Sequence, residues 1–86
     1  MMEEIDAEYL EMIYYNFNYA IDNNKDKVYL GYMVDENDDT MDYWVQKDMW
    51  ISILDIMIED AASVEEYEYC AKFKKLIENL KNETGL

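Results

Sequence analysis

The sequence lacks several residue types on which common chemistries depend. It contains no His, no Arg and no Pro, only two Gly, and a single Cys, Cys70. Without His, the Cys–His and Ser–His pairs that activate many nucleophiles cannot form, and one Cys cannot supply a structural zinc site. The apolar residues around Cys70 predict a buried, reduced thiol, which is typical of a cytoplasmic protein. We therefore expect no enzymatic activity, no cofactor and no bound metal.

Positive charge is also scarce. Lys is the only basic residue type, and 7 Lys against 21 Asp and Glu give the 86-residue chain a net charge of −14. A field of this sign repels phosphate, so direct binding to nucleic acid or to an anionic membrane is disfavoured. The acidic start at Glu3 and Glu4 is unlike a secretory signal, and no apolar run approaches the roughly 18 residues of a membrane-spanning helix. The expected compartment is the cytoplasm.

Apolar residues, by contrast, are abundant enough for folding. The chain is 51% hydrophobic and 15% aromatic, which is incompatible with a disordered acidic tail. Its length supports one small domain with a modest core and no deep cleft. We predict a single domain over residues 1–86 that is mainly α, with a short β-hairpin that would make it α+β.

The N-terminal segment has the periodicity of a helix over residues 3–22. Apolar residues recur at steps of three and four and define a wide buried arc, while acids in the first turn, including Asp6, suit the positive end of the helix dipole. Asn23 and Asn24 tolerate the left-handed conformation that ends a helix. The predicted solvent face consists of Glu4, Glu8, Glu11, Tyr15, Asn18 and Asp22.

Residues 28–46 favour a β-hairpin. Two segments rich in strand-forming residues flank an acidic loop at residues 35–40. Gly31 lies within the first segment and suggests a place where another element approaches closely. The rival interpretation is a helix that begins with an N-cap at Thr40.

The acidic loop also contains the start of a calcium-binding pattern. Asp35, Asn37 and Asp39 alternate as in an EF-hand loop. Thr40 and Gln46, however, stand where that loop requires Gly and a bidentate Glu. The pattern therefore predicts a solvated acidic turn.

Residues 49–82 predict an antiparallel helical hairpin. Asp48 is a candidate N-cap for its first helix, and Met49 and Ile56 broaden the apolar arc that we expect to be buried. The residues 63–66, Ser-Val-Glu-Glu, fit a capping box at the start of the second helix.

Part of this hairpin resembles a known interaction motif. The matching residues are Met57, Ala61, Ala62, Glu66, Tyr67, Glu68, Cys70, Ala71, Phe73, Ile77 and Leu80. Over residues 50–82 they resemble the UVR motif, a helical hairpin through which repair proteins of the UvrB and UvrC type contact each other. Lys74 and Lys75 depart from the Arg-Asp step usual in that family. The resemblance implies protein–protein docking without catalysis.

The acidic residues give the strongest indication of function. Residues three or four apart on a helix lie about 5 to 6 Å apart, so acids at this interval have close to the expected spacing of successive phosphates on one nucleic-acid strand. The net charge also exceeds the magnitude of about 2 to 8 that suffices for solubility. Two tyrosines, Tyr15 and Tyr67, are candidate aromatic anchors. The candidate acidic contacts are Glu4, Glu8, Glu11, Asp35, Glu36, Asp38, Asp39, Asp55, Glu59, Asp60, Glu65, Glu66 and Glu68.

These features lead to two hypotheses. The first is a non-enzymatic nucleic-acid mimic, an inhibitor or modulator that occupies a basic nucleic-acid-binding groove of a host protein, as phage anti-CRISPR and anti-restriction proteins do. The alternative is an adaptor that docks through the UVR-like hairpin. A simply soluble acidic surface is a third interpretation, and the sequence leaves open whether the chain forms a homodimer.

Overall fold

A computed structural model describes residues 6–83, which contain three helices and one two-stranded sheet. The elements are α1 (Ala7–Asp22), β1 (Lys27–Val34), β2 (Thr40–Gln46), α2 (Trp50–Ser63) and α3 (Tyr67–Glu83), with a 3-10 turn (Lys47–Met49) before α2. The predicted mainly α domain with a β-hairpin is confirmed. Glu3 and Glu4 lie outside the described residues, as does the predicted start of the first helix. No helix between residues 6 and 83 has both the length and the apolar character that crossing a membrane requires.

Both ends of α1 are held by local hydrogen bonds. Asp6 is the N-cap, and its side chain accepts a hydrogen bond from the backbone N–H of Tyr9 at 2.9 Å. Asp6 therefore precedes the helix and is not part of its first turn. At the other end Asn24 has a φ of 54°, and the N–H of Lys25 donates to the carbonyl of Ala20 at 2.9 Å. The predicted left-handed stop is thus confirmed.

The hairpin is antiparallel, and the helical alternative for this segment is wrong. Val28 pairs with Val45 near the base, and Val34 pairs with Thr40 near the turn. The register shifts between Tyr29 and Gly31, so β1 contains one extra residue at this point. In this segment, therefore, a hairpin forms and not a helix. Its strands are rich in strand-forming side chains, and the backbone N–H groups of its turn are hydrogen-bonded within the turn.

Gly31 has a different role from the one predicted. Its φ is +123°, and a Cβ built at this position would meet no atom within 4 Å. No other element approaches it, so steric space does not require glycine here. The backbone conformation beside the bulge does, because side chains rarely adopt this φ.

The start of α2 and the turn into α3 also differ from the sequence expectation. The 3-10 turn precedes α2, whose N-cap is Met49 and carries no side-chain cap bond, so Asp48 is not the cap. Ser63 belongs to α2, and its hydroxyl donates to the carbonyl of Asp60 at 2.7 Å. The predicted capping box is therefore wrong.

A left-handed residue ends α2 instead. Glu65 has a φ of 62°, and its N–H donates to the carbonyl of Ala62 at 3.0 Å. The N–H of Glu66 donates to the carbonyl of Ala61 at 2.8 Å. This pair of bonds is a Schellman motif, which satisfies the last carbonyls of α2 and reverses the chain so that α3 begins at Tyr67.

The core lies where α1 packs on α3, and α2 packs on α3 beside it. Trp50 is only 1% exposed, and its ring meets the ring of Phe17 edge-on with centroids 5.8 Å apart. Its indole N–H donates to the carbonyl of Val45 at 2.9 Å, which joins the helices to the base of the hairpin. The buried residues are Leu10, Ile13, Phe17, Ala20, Val28, Leu30, Val45, Trp50, Leu54, Met57, Ala61, Phe73, Leu76, Ile77 and Leu80.

Three residues predicted to be buried lie nearer the surface. Met49 and Ile56 are exposed, because the 3-10 turn and the outer side of α2 face away from the other helices. Cys70 is half-buried, and its thiol donates to the carbonyl of Ile58 across the helical hairpin at 3.4 Å. The core is consequently narrower than the apolar pattern of the sequence indicates.

The left-handed Glu65 generates a stability prediction. We expect Glu65→Gly to raise the free energy of unfolding by about 0.5 to 1 kcal/mol, because glycine relieves the cost of a positive φ. Glu65→Ala removes the same charge but keeps the strained conformation, so it should give little or no gain. Urea unfolding of both variants measures the difference, and equal stabilities would contradict the Schellman assignment.

Candidate partner-binding surfaces

The carboxylates lie at the surface of the molecule. Every Asp and Glu from Asp6 to Glu78 is exposed except Asp60 and Glu66, which are half-buried. No charged residue belongs to the buried core of the described chain. The negative charge is therefore available to solvent and to a partner.

The α1 row contains Glu8 and Glu11, one turn apart and exposed. Tyr15 continues the row and is 67% exposed, as predicted. Asn18, expected on the same solvent face, is half-buried. Glu4, the first predicted member of the row, lies outside the described residues.

An open groove of about 580 Å³ separates the α1 row from α3 and is lined by Glu8, Glu11 and Lys72. The Lys72 ammonium lies 5.3 Å from the ring centroid of Tyr14 and 4.7 Å from that of Tyr69. Such cation–π contacts hold a lysine against aromatic faces. One cation thus stands beside the acidic row at this groove.

The α2 row contains Asp55 and Glu59, which are exposed and also one turn apart. They line a second open groove, of about 510 Å³, together with Lys74, Glu78 and Lys81 of α3. Two lysines and one further acid of α3 thus line the same groove as the row. Asp60, the third acid predicted here, is half-buried and does not line this groove.

Three further acids lie around the turn between α2 and α3. Glu65 and Glu68 are exposed, whereas Glu66 is half-buried and its backbone closes the Schellman motif. Tyr67, the first residue of α3, lies between them in the chain and is 63% exposed. The turn therefore places an accessible aromatic ring among carboxylates.

The turn of the β-hairpin has the most uniform charge. Asp35 organises it, because one oxygen of its carboxylate accepts hydrogen bonds from the N–H groups of Asn37 and Asp39, both at 2.9 Å. Glu36, Asp38 and Asp39 are exposed, and no Lys occurs between residues 28 and 46. Residues 6–83 contain no cluster of three or more His, Cys, Asp or Glu side chains placed to hold a metal ion.

The distal hairpin exposes apolar side chains that sequence reasoning missed. Between 48% and 65% of each of six side chains is exposed, on both faces of the sheet. We call these residues the apolar arm: Tyr32, Met33, Val34, Met41, Tyr43 and Trp44. The sequence held a signal for it, because residues 28–34 are apolar at nearly every position, whereas a strand covered on one face alternates. Because the helices cover only one face of this hairpin, near its base, the apolar side chains of its distal part remain exposed.

A small polar and aromatic cluster lies on the outer face of the hairpin. The rings of Tyr29 and Trp44 lie with centroids 5.1 Å apart, and the ammonium of Lys27 stands 5.0 Å from the Trp44 ring. The Tyr29 hydroxyl donates to the Asp42 carboxylate at 3.3 Å. Desolvation, followed by the charge of Asp42 and this hydrogen bond, raises the pKa of Tyr29 above its ordinary value.

Comparison with known proteins does not identify the chain. No protein-family model matches it, and no curated protein or solved structure is significantly similar to it. The function must therefore be inferred from the surfaces described above.

The contact between Tyr29 and Asp42 can be tested by titration. In Asp42→Asn we expect the pKa of Tyr29 to fall towards its ordinary value, because the nearby negative charge that opposes deprotonation is lost. NMR of tyrosine labelled at Cζ measures the shift. Asp39→Asn, a change of equal charge in the turn, serves as the control. An unchanged Tyr29 pKa in Asp42→Asn would contradict the geometry.

Proposed function

We propose that this protein is a non-enzymatic acidic binding protein of the cytoplasm that occupies a basic nucleic-acid-binding surface of another protein. The observation that carries the proposal is the placement of the carboxylates. They are at the surface throughout the described residues, and two rows of them follow exposed helix faces at one-turn spacing. A phosphate backbone presents charge to a partner in a similar way.

The physical mechanism is an exchange of counterions. A basic groove and an acidic surface each hold an ion atmosphere, and both release ions when they meet. Complementary potentials also accelerate encounter and disfavour partners of the wrong sign. Affinity of this origin falls as salt rises, and nucleic acid competes for the same groove.

The α1 row and the hairpin turn fit this role better than the α2 row. Two lysines, Lys74 and Lys81, border the α2 row and one, Lys72, borders the α1 row, whereas no lysine lies within the hairpin between residues 28 and 46. Tyr15 follows the α1 row on its exposed side. Aromatic side chains of this kind are enriched among the residues that dominate binding energy at interfaces.

The class of target that fits the proposal is a host protein directed at nucleic acid. Small acidic proteins from phages block such proteins, as anti-CRISPR and anti-restriction proteins do. The charge, the size and the surface placement of the acids in this chain support the same mode of inhibition.

Docking through the UVR-like hairpin is a second candidate, favoured by one observation. Tyr67 is 63% exposed beside the turn that connects α2 and α3. Phe73, Ile77 and Leu80, which carry much of the resemblance, are buried in the core of this chain. A partner on this hairpin would therefore contact the region of the turn.

Affinity capture from a bacterial lysate separates the two candidates. The immobilised protein is washed at low and then high salt, and a parallel sample is eluted with DNA or RNA. We expect to recover a nucleic-acid-handling protein. It should elute at high salt, and it should also elute when DNA or RNA is added. A partner that resists salt and ignores nucleic acid would refute the mimic and favour hairpin docking.

Charge reversal tests which surface is used. We expect the double variant Glu8→Lys, Glu11→Lys to weaken binding of the captured partner by about tenfold or more, because it replaces attraction by repulsion in the α1 row. Calorimetry gives the affinity, and circular dichroism verifies the helix content.

A matched control variant has the same net charge as the α1 double variant. The double variant Asp26→Lys, Asp48→Lys changes the total charge equally at two exposed positions near the base of the hairpin, outside both acidic rows, so it should bind more tightly than the α1 double variant. Equal loss in both would refute the α1 row as the contact. Tyr67→Ala should leave binding unchanged unless the helical hairpin is the docking surface.

A further inference from the structure

One edge of the β-hairpin is open along its distal part. The sheet has two strands within residues 6–83, so neither outer edge is paired with a third strand there. Helix α1 packs against β1, and the Asn16 side-chain amide donates to the carbonyl of Tyr29 at 2.9 Å. On β2 the Trp50 indole bonds to the carbonyl of Val45 at the base, and this carbonyl is directed towards β1, so the bond does not cover the outer edge. The outer edge of β2 beyond Val45 is the more accessible one.

The hydrogen bonds at the two ends of the hairpin fix which backbone groups face this edge. Near the base the N–H of Lys47 donates to the carbonyl of Asp26, and at the turn the N–H of Asp35 donates to the carbonyl of Asp39. Bonded and non-bonded pairs alternate along an antiparallel ladder. The backbone N–H and C=O groups directed away from β1 are therefore those of Thr40, Asp42, Trp44 and Gln46.

The apolar arm gives this edge large exposed faces. Its three aromatic side chains are between 48% and 65% exposed, and two methionines and a valine add to them, with Tyr32 and Trp44 on one face of the sheet and Tyr43 on the other. Exposed apolar side chains that are grouped in this way commonly mark interaction sites. A two-stranded hairpin is also marginally stable alone in water and gains from additional strands.

We propose that the occupant of this surface is a second copy of the chain, with the two β2 strands paired antiparallel about a two-fold axis into a four-stranded sheet. Charge complementarity favours this occupant. The turn of the hairpin carries only acids, whereas its base carries Lys25, Lys27 and Lys47 against Asp26 and Asp48. Antiparallel pairing places the acidic turn of each copy beside the net positive base of the other.

The extent of β2 also selects the register. The strand has seven residues, Thr40–Gln46, and its middle residue is Tyr43. Pairing that uses the whole strand therefore sets Tyr43 opposite Tyr43 of the second copy, with Asp42 opposite Trp44. A register centred on Asp42 would instead oppose two like charges directly, which is destabilising. This inference goes beyond the proposed function and does not depend on it: in the dimer the turn of the hairpin contacts the second copy, and the α1 row stays available to another protein.

Disulfide trapping tests the register. In the Tyr43-centred dimer the two residues at position 43 form a non-hydrogen-bonded pair with Cα atoms about 4.5 Å apart, within disulfide reach. In a Cys70→Ser background we expect Tyr43→Cys to crosslink rapidly to a dimer under mild oxidation. Tyr15→Cys in the same background, at an equally accessible site on α1, should crosslink at least tenfold more slowly. Similar rates for the two variants would overturn the register.

Sedimentation equilibrium tests the association with the native side chains in place. The wild-type chain should approach twice its mass of 10.4 kDa as its concentration rises. Tyr43→Lys should raise the dimer dissociation constant at least tenfold, and Tyr15→Lys should leave it unchanged. A wild-type chain that stays monomeric at about millimolar concentration, with or without an affinity for other proteins, overturns the proposal. Equal weakening by the two lysine variants does so as well.

Discussion

The contact between Trp50 and the base of the hairpin determines how the rest of the molecule is arranged. The indole is buried against Phe17 in the helical core, while its N–H bonds to the carbonyl of Val45 in β2. One side chain thereby belongs both to the helices and to the sheet. The base of the hairpin contributes three residues to the core, Val28, Leu30 and Val45. The remainder of the hairpin extends away from the helices into solvent. The exposed arm is thus a consequence of where the sheet is attached.

Charge is segregated on this frame in a way that bears on binding. Four of the lysines lie on α3 and the others lie near the base of the hairpin, in both places together with acids, whereas α1, α2 and the two turns contain acids and no lysine. Because no carboxylate is buried in the described chain, the acids contribute little to the core and strengthen the outward field. Stability comes from the apolar cluster between the helices. The exposed acids are therefore available to contact a partner, although their mutual repulsion lowers the stability of the folded chain.

Local and periodic signals explain what the sequence predicts correctly. The three helices follow from apolar spacing, the end of α1 from Asn24, and the hairpin from strand-forming residues around a turn that Asp35 bonds together. The errors arise where competing interactions are not visible in a local pattern. Ser63 suits a capping box, but the carbonyls of Ala61 and Ala62 are satisfied by the turn that follows, and α2 extends through the serine. The apolar arm was missed because its exposure depends on how much of the hairpin the helices can cover.

We propose that this protein competes with nucleic acid for a basic protein surface. The most direct measurement is a calorimetric titration of a captured nucleic-acid-binding protein with this chain, repeated at increasing concentrations of the oligonucleotide that the captured protein binds. We expect the apparent dissociation constant to rise in proportion to the oligonucleotide concentration once the oligonucleotide is in excess of its own dissociation constant, while the stoichiometry stays constant. An apparent dissociation constant that does not change with oligonucleotide would refute competition for the same surface.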